Sequence, residues 1–332
     1  MSLISKFKKS AWKDCRMVLP EGEDPRVLEA ALKAKKLRLA DPFFVGNKKA
    51  IEKTAKKKKL SLKGIEIIDI SQEVPEKYIK KYTKIRKASK KLAEHMLSNP
   101  LFLATLLVKM GEADAMVAGA VSSSADVISA STGILGLRKG VSVPSSFFIM
   151  ELPEKKFGEK GLLLFADSSV NIELSPQEMA DVAVTTARTA KELMGWAPRV
   201  AMLSFSTKGS AVHPRVDKVA EAAGLAKKKA PRGAHIDGEF QGDSALVPST
   251  AKKKIKGRVG PVAGKANVLI FPDLDSGNIS YKLTQCLGRA NAYGPILQGF
   301  RKPVSDLSRG AKPEDILGTM AILSTWAKRV KK

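Results

Sequence analysis

The sequence predicts an α/β fold in two lobes, and three observations carry that expectation. Short apolar runs alternate with amphipathic stretches from Met17 to Ser131, the pattern changes at Val141, and a second alternating series starts near Arg199. The chain has 332 residues, more than one compact core usually holds. Alternation of strand, turn and helix implies mostly parallel sheets covered on both faces, with ligands at the carboxyl ends of the strands.

In order along the chain, RMVLPEGEDPRVLEAALKAKK reads as a strand from Met17 to Leu19, a Gly/Asp/Pro turn and an amphipathic helix from about Pro25. PFFVGNKKAIEKTAKKK repeats the unit, and GIEIIDIS alternates as a further strand. One helical stretch from Tyr78 to Leu97 leads to a second from Pro100 to Met110. ADAMVAGAVSSSADVISAS is then a buried strand running into a Gly/Ser turn and a helix. After Val141, VSVPSSFFIMELPE and KGLLLFADSSVN read as successive strands with a hairpin-like connection, followed by a helix from Pro176 to Met194. RVAMLSFSTKGSA, a helix from Val216 to Ala226, AHIDGEFQGDSAL and ANVLIFPDLDSGNISYKLTQCL form the second series. A last helix spans Glu314 to Arg329, with Lys and Arg at its C-terminal end as the helix dipole favours. No short-period repeat or long low-complexity linker interrupts this plan.

Bulk composition narrows the class. Hydrophobic residues make up 44%, enough to fill such cores, yet no run of eighteen or more apolar residues suggests a membrane span. The N-terminal MSLISKFKKSAWKD lacks the apolar stretch and cleavage site of a signal peptide, and the two cysteines, Cys15 and Cys286, give no disulfide framework. A cytoplasmic protein that does not engage membranes is expected. The net charge of +25, from 58 Lys+Arg against 33 Asp+Glu, raises nucleic acid as a partner. Much of the excess lies in short lysine runs, Lys56 to Lys59, Lys227 to Lys229 and Lys252 to Lys254, without interleaved aromatics or a zinc-ligand spacing. These read as solvated faces, and a positive field of this size draws in anionic metabolites rather than marking a nucleic-acid surface.

Several segments carry candidate chemistry. In QGFRKPVSDLSRGAKPED, Gln298 to Asp315, Ser308 can hydrogen-bond a nucleophile, Arg309 can grip an oxyanion or phosphate at two points, and Asp315 can act as a general base. Lys312 to Asp315 equally make an ordinary helix start, with proline in the first turn and acids at the positive dipole end. AMLSFSTKGSA places Ser204, Ser206, Thr207, Lys208, Gly209 and Ser210 after an apolar strand, as a phosphate or carbonyl cradle or simply as a polar turn. Asp273 and Asp275 in FPDLDSGN suit either a turn or a divalent cation, without the further ligands a metal site needs. His95, His213 and His235 fit no metal-ligand spacing. His213 reads as a loop residue, and Cys286, in a helical stretch without a neighbouring base, as a buried or half-buried thiol. Walker, GxSxG and GxGxxG patterns are absent.

Taken together, LPEGEDPRVLEAA, GEADAMVAGAVSSSADV, SSFFIM, LFADS, VAMLSFSTKGSA, IDGEFQGDSALVP, VAGKANVLIFPDLDSGNISYKL and GPILQGFRKPVSDLSRGA closely resemble the phosphate acetyltransferases, in order from about Val18 to Thr325. The resemblance implies two three-layer α/β/α domains with mostly parallel sheets and an active-site cleft between them. The first would comprise 1–141 plus 300–332, the C-terminal segment returning to it, and the second 142–299. It further implies acetyl transfer between acetyl phosphate and coenzyme A, no metal, no tightly bound cofactor, coenzyme A or acetyl-CoA as substrate, and a homodimer. Carried over by motif, Ser308 and Arg309 are the cleft serine and arginine, Asp315 the base for the thiol, and Arg86 in YTKIRK a contact for the acyl phosphate. Ser206 to Ser210 (Ser206, Thr207, Lys208, Gly209 and Ser210) line the phosphate site, and Tyr293, with Cys286 and Arg289 nearby, the coenzyme A site.

Two positions depart from the family pattern. Ser129 in SADVIS and Cys286 in TQCL stand where substrate-binding arginines are usual, and a charge-assisted hydrogen bond is worth roughly 1.5 to 3 kcal/mol. Arg138 and Arg289 are candidates to compensate. The departures keep two alternatives in view beside acetyl transfer: a non-catalytic or weakened coenzyme A-binding, oligomerising homologue, and a longer-chain (butyryl) phosphotransferase.

Overall fold

The computed structural model describes residues 3–331. Two compact units divide the chain: Met1–Leu137 with Phe300–Lys332, and Arg138–Gly299.

The first unit runs α1 (Leu3–Ser10), β1 (Arg16–Leu19), α2 (Pro25–Lys36), β2 (Asp41–Gly46), α3 (Lys48–Lys57), β3 (Ile67–Asp69), α4 (Glu76–Arg86), α5 (Lys90–Leu97), α6 (Pro100–Met110), β4 (Ala115–Ala118) and α7 (Ser124–Ala130), which continues into a π-helical turn, Ser131–Leu135. Helix starts follow local chemistry. Asp24, Asn47 and Asn99 each accept an early amide of α2, α3 and α6, and proline follows directly in α2 and α6. The stretch from Tyr78 to Leu97 is two helices rather than one. Lys87 takes a left-handed conformation at φ 51, and Ser89 caps a new start by accepting from Leu92.

The second unit runs β5 (Ser145–Glu151), β6 (Leu162–Ala166), α8 (Pro176–Thr189) with a π-helical turn at Ala190–Met194, β7 (Arg199–Leu203), α9 (Pro214–Lys228), β8 (His235–Phe240), α10 (Gly242–Leu246), α11 (Pro248–Lys254), β9 (Val268–Ile270), α12 (Leu274–Cys286) and β10 (Asn291–Gln298). Its strands lie in the order β10-β5-β6-β9-β7-β8. The β5/β6 pair is antiparallel, as the hairpin reading of those two strands expects; β10/β5 is antiparallel too, and the remaining pairs are parallel. Phe148, Met150, Leu163, Phe165, Phe240 and Phe271 anchor its core. Gln298 sits in a closed polar network inside it: Thr189 Oγ1 donates to Gln298 Oε1 at 2.8 Å, and Gln298 Nε2 donates to Thr186 Oγ1 at 2.8 Å and Ser145 Oγ at 3.1 Å. Every member has a partner, so burial is tolerated.

The chain then returns to the first unit as β11 (Val304–Asp306) and α13 (Pro313–Val330). All pairs in the order β3-β2-β1-β4-β11 are parallel. Register aligns Val18 with Met116 and Asp306 with Ala118, so the segments beginning at Pro20, Gly119 and Leu307 leave the sheet along one edge. That edge positions the candidate site.

The lysine runs have a more specific place than solvated faces. Each closes a helix, at the ends of α3, α9 and α11, where cations offset the dipole. Lys227, Lys229 and Lys254 also pair with Asp237, Asp181 and Asp243 at 2.6, 3.0 and 2.7 Å.

Candidate active site

Three loops meet the carboxyl edge of the first unit's sheet. After β1, the Glu21 carboxylate, 7% exposed, accepts the amides of Gly119, Ala120, Val121 and Ser122 at 3.1, 2.8, 3.2 and 2.8 Å. Successive amides of this kind form an anion nest, and here the chain's own carboxylate fills it. Gly119 is obligatory: its φ is +104 and a Cβ there would stand 2.3 Å from Asp306 Oδ1. Asp306 is 3% exposed, and its Oδ1 has no hydrogen-bond partner among the described residues. Burial pushes its carboxyl up to about 6; Ser124 pulls it down, Glu21 raises it further and Arg309 lowers it.

The loop after β11 carries Ser308 and Arg309. Leu307 N–H donates to Ala118 O at 2.7 Å, Ala311 N–H to Ser308 O at 2.9 Å and Gly310 N–H to Ser308 Oγ at 3.3 Å. From α2, Arg26 Nη1 donates to Arg309 O at 2.6 Å and Ala311 O at 3.1 Å, and Nη2 to Ala120 O at 3.1 Å. Asp24 locks that guanidinium through Nε at 3.0 Å and Nη2 at 2.7 Å. Burial alone would raise the Asp24 carboxyl, but the hydrogen bonds and charge of Arg26 outweigh it and hold the group below its usual range. The Ser308 and Arg309 amides and the Arg309 guanidinium donate to nothing among the described residues. Ser308, Arg309 and Asp315 are all exposed. Asp315, third residue of α13, accepts Lys312 N–H through Oδ2 at 2.9 Å, which makes it a helix cap whatever else it does. Arg86, at the end of α4, donates to Gly133 O at 2.7 Å. Ser129 is an exposed residue of α7.

In the second unit the loop after β7 is wired inward. Backbone N–H groups of Ser206, Thr207, Lys208, Gly209, Ser210 and Ala211 donate in turn to Ser204 Oγ, Ser210 Oγ, Glu239 O, Glu239 Oε1, Thr207 O and Ser206 Oγ. Glu239, 4% exposed, also accepts the Ser206 hydroxyl at 3.1 Å. Lys208 Nζ donates to Asp237 Oδ1 at 2.8 Å and lies 4.9 Å over the Phe240 ring. Burial would raise Asp237, yet Lys208 and Lys227 hold it below its usual range. The side chain of Asp167 similarly accepts from the amides of Ser146, Ser169, Val170 and Asn171 at 3.1, 3.1, 3.3 and 3.0 Å.

The residues expected near coenzyme A lie on α12 and β10. Tyr293 is half-buried and donates to Glu151 Oε2 at 2.9 Å; burial, then Glu151, pushes its phenol above the usual range. Cys286 is exposed at the last turn of α12, which corrects the expectation of a buried or half-buried thiol. The inert buried thiol is Cys15, pushed up to about 12 by burial and by Asp114. Arg289 is exposed, with φ 50. Arg138 donates to both carboxylate oxygens of Glu192 at 2.9 Å, so its guanidinium is already engaged.

Asp273 caps α12 by accepting Ser276 N–H at 2.8 Å and its hydroxyl at 2.6 Å. Among the described residues no three His, Cys, Asp or Glu side chains gather as metal ligands. His213 caps α9, its Nδ1 accepting Arg215 N–H at 3.1 Å. No helix of the described residues is long and apolar enough to cross a membrane.

Sequence reasoning passed over Glu21, Arg26, Asp306 and Glu239 as site residues. Their one shared signal was position, at or just beyond the end of a buried strand or on the helix that follows it.

A family model described as "Phosphate acetyl/butaryl transferase" matches residues 1–324. The chain belongs to that family. A phosphate acetyltransferase of Thermoanaerobacterium thermosaccharolyticum is 45% identical over 330 residues, 98% of each chain. A phosphotransacetylase structure from Streptococcus pyogenes superposes with TM-score 0.91 at 39% identity over 99% of both chains. EutD phosphotransacetylase from Staphylococcus aureus gives TM-score 0.89 at 37% identity, covering 98% of this chain and 100% of that one. A family assignment of this kind identifies the fold and gives the exposed Ser308–Arg309 loop a chemical context.

Proposed function

We propose that this phosphate acetyl/butyryl transferase family member moves an acetyl group between acetyl phosphate and coenzyme A, with the Ser308–Arg309 loop contacting the reacting oxygens. One observation carries the assignment: two adjacent amides and a guanidinium in that loop have no acceptor among the described residues, while Arg26 holds the loop from its carbonyl side. Unclaimed donors of this kind suit a developing oxyanion or a leaving phosphate.

In the forward step Asp315 takes the thiol proton, the sulfur forms a bond to the acetyl carbon, and the carbon–oxygen bond to phosphate breaks with that electron pair leaving on phosphate. A free thiol near 8.5 and an aspartate near 3.9 differ by roughly 4.6 pKa units, about 6 kcal/mol against full proton transfer. Proton removal concerted with carbon–sulfur bond formation avoids a free thiolate and answers the difficulty. Arg86 is assigned to the acyl phosphate, and Tyr293, Arg289 and the Cys286 end of α12 to coenzyme A. The loop from Ser206 to Ser210 offers phosphate no cradle of amides, because its amides are already engaged. A cytoplasmic homodimer completes the reading.

Ultraviolet detection of thioester formation from acetyl phosphate and coenzyme A tests it, and a rise dependent on both substrates is expected. A second reading, a coenzyme A-binding homologue without turnover, rests on Ser129 and Cys286 in place of arginines. Coenzyme A binding without thioester formation would select it. Butyryl phosphate assayed in parallel sets the acyl-chain preference.

A further inference from the structure

We infer that Arg26 is a positioning residue for acyl transfer, holding the Ser308–Gly310 loop in its working shape through the carbonyls of Arg309 and Ala311. The inference rests on the acyl-transfer reading above. Ser308, Arg309 and Gly310 are all exposed, so side-chain packing does little to fix them. Gly310 is the residue with the widest backbone freedom, and it lies between the two carbonyls, Arg309 O and Ala311 O, that Arg26 grips. The same guanidinium reaches Ala120 O in the loop after β4, and Asp24 fixes it by side-chain hydrogen bonds to Nε and Nη2. One planar fork therefore ties two strand-end loops to the start of α2. A lysine, with a compact point charge on a flexible stem, lacks the geometry to make these contacts together. Displacement of a reacting group by about 1 Å costs on the order of a hundredfold in rate, so loosening this tie reaches the chemistry without touching substrate.

The decisive experiment is a double-mutant cycle between Arg26→Gln and Arg309→Gln in the full chain, with Arg26→Lys as a second variant. Thioester formation is measured over a range of both substrates, and melting is followed by circular dichroism. Expected are a fall in kcat of about tenfold to a hundredfold for Arg26→Gln, little rescue by lysine, and less than about a twofold further loss when Arg26→Gln is added to Arg309→Gln. Full, independent losses in the double variant mean that Arg26 does not act through Arg309 and overturn the inference. So does near-normal kcat in Arg26→Gln beside an impaired Arg309→Gln, or failure of both Arg26 variants to fold, which assigns the residue to stability. Near-normal activity in Arg309→Gln removes instead the reading on which the inference stands.

Discussion

Two loops of similar composition, Thr207-Lys208-Gly209-Ser210 after β7 and Ser308-Arg309-Gly310 after β11, are held by opposite halves of their peptide groups. The first is gripped by its N–H groups: Glu239 and nearby hydroxyls and carbonyls accept every amide from Ser206 to Ala211. The second is gripped largely by its carbonyls, through Arg26, and two of its amides stay unclaimed among the described residues. A serine, a cation and a glycine thus do not by themselves make an anion cradle. The side chain that grips each loop decides it, since the Glu239 carboxylate consumes donors and the half-buried Arg26 guanidinium consumes acceptors.

The strongest test of this contrast is Arg309→Gln, expected to lower kcat/KM for thioester formation at least a hundredfold, as loss of an oxyanion donor does, with an unchanged melting temperature. Asp315→Asn comes next, at about a hundredfold or more in kcat for a general base, with about 1 kcal/mol or less lost from the α13 cap in a denaturant titration. Normal rates in either variant would remove that residue from the mechanism.

The buried carboxyls under the two loops are expected to respond with opposite sign. Asp306 has an unpaired oxygen and a folded-state pKa raised to about 6, against an ordinary value of 3.8. Its favourable contribution is whole below 3.8 and is lost as pH rises through 6, because the unfolded chain ionises first. At 1.36 kcal/mol per pKa unit the loss is on the order of 3 kcal/mol. Asp306→Asn should therefore stabilise the protein above pH 6 and leave it little changed below pH 4, in urea midpoints measured across that range. Glu239→Ala should instead destabilise it by about 1–3 kcal/mol at neutral pH, since the Gly209 amide and Ser206 hydroxyl lose their acceptor. The smallest effect expected is that of Lys208→Met on catalysis, under about tenfold in KM for acetyl phosphate, a modest surface-cation contribution. A loss as large as that of Arg309→Gln would show that the lysine leaves Asp237 to work on substrate, and the sorting of the two loops would collapse.

The α/β class was legible because alternation of short apolar runs with amphipathic helices reports burial directly, and helix α6 begins and ends where Asn99, Pro100 and Gly111 say it must. Elements without such local marks escaped. Helix α1 is only LISKFKKS, β10 has Gly294-Pro295 inside it, and β11 is three residues ending in an aspartate. The turn at Lys87 has no compositional signal, since lysine rarely adopts that conformation. At the site, Ser308, Arg309 and Asp315 could be named because their chemistry is local and their motif resembles a family. Arg26 and Glu21 act on carbonyls and amides far away in sequence, and no reading of one segment at a time brings such partners together. For the same reason LSFSTKGSA leaves cradle and polar turn equally open until Glu239 is set beneath it.

The nest at Gly119 to Ser122 shows what such tethering does to competition. A dissolved anion occupies a site in proportion to its concentration and loses its grip as salt screens the attraction. Glu21 belongs to the same chain and is buried against the four amides it holds, so phosphate released in turnover or present in the medium has a standing occupant to displace. Although the protein carries a charge of +25, this inviting anion trap is closed by self-occupancy.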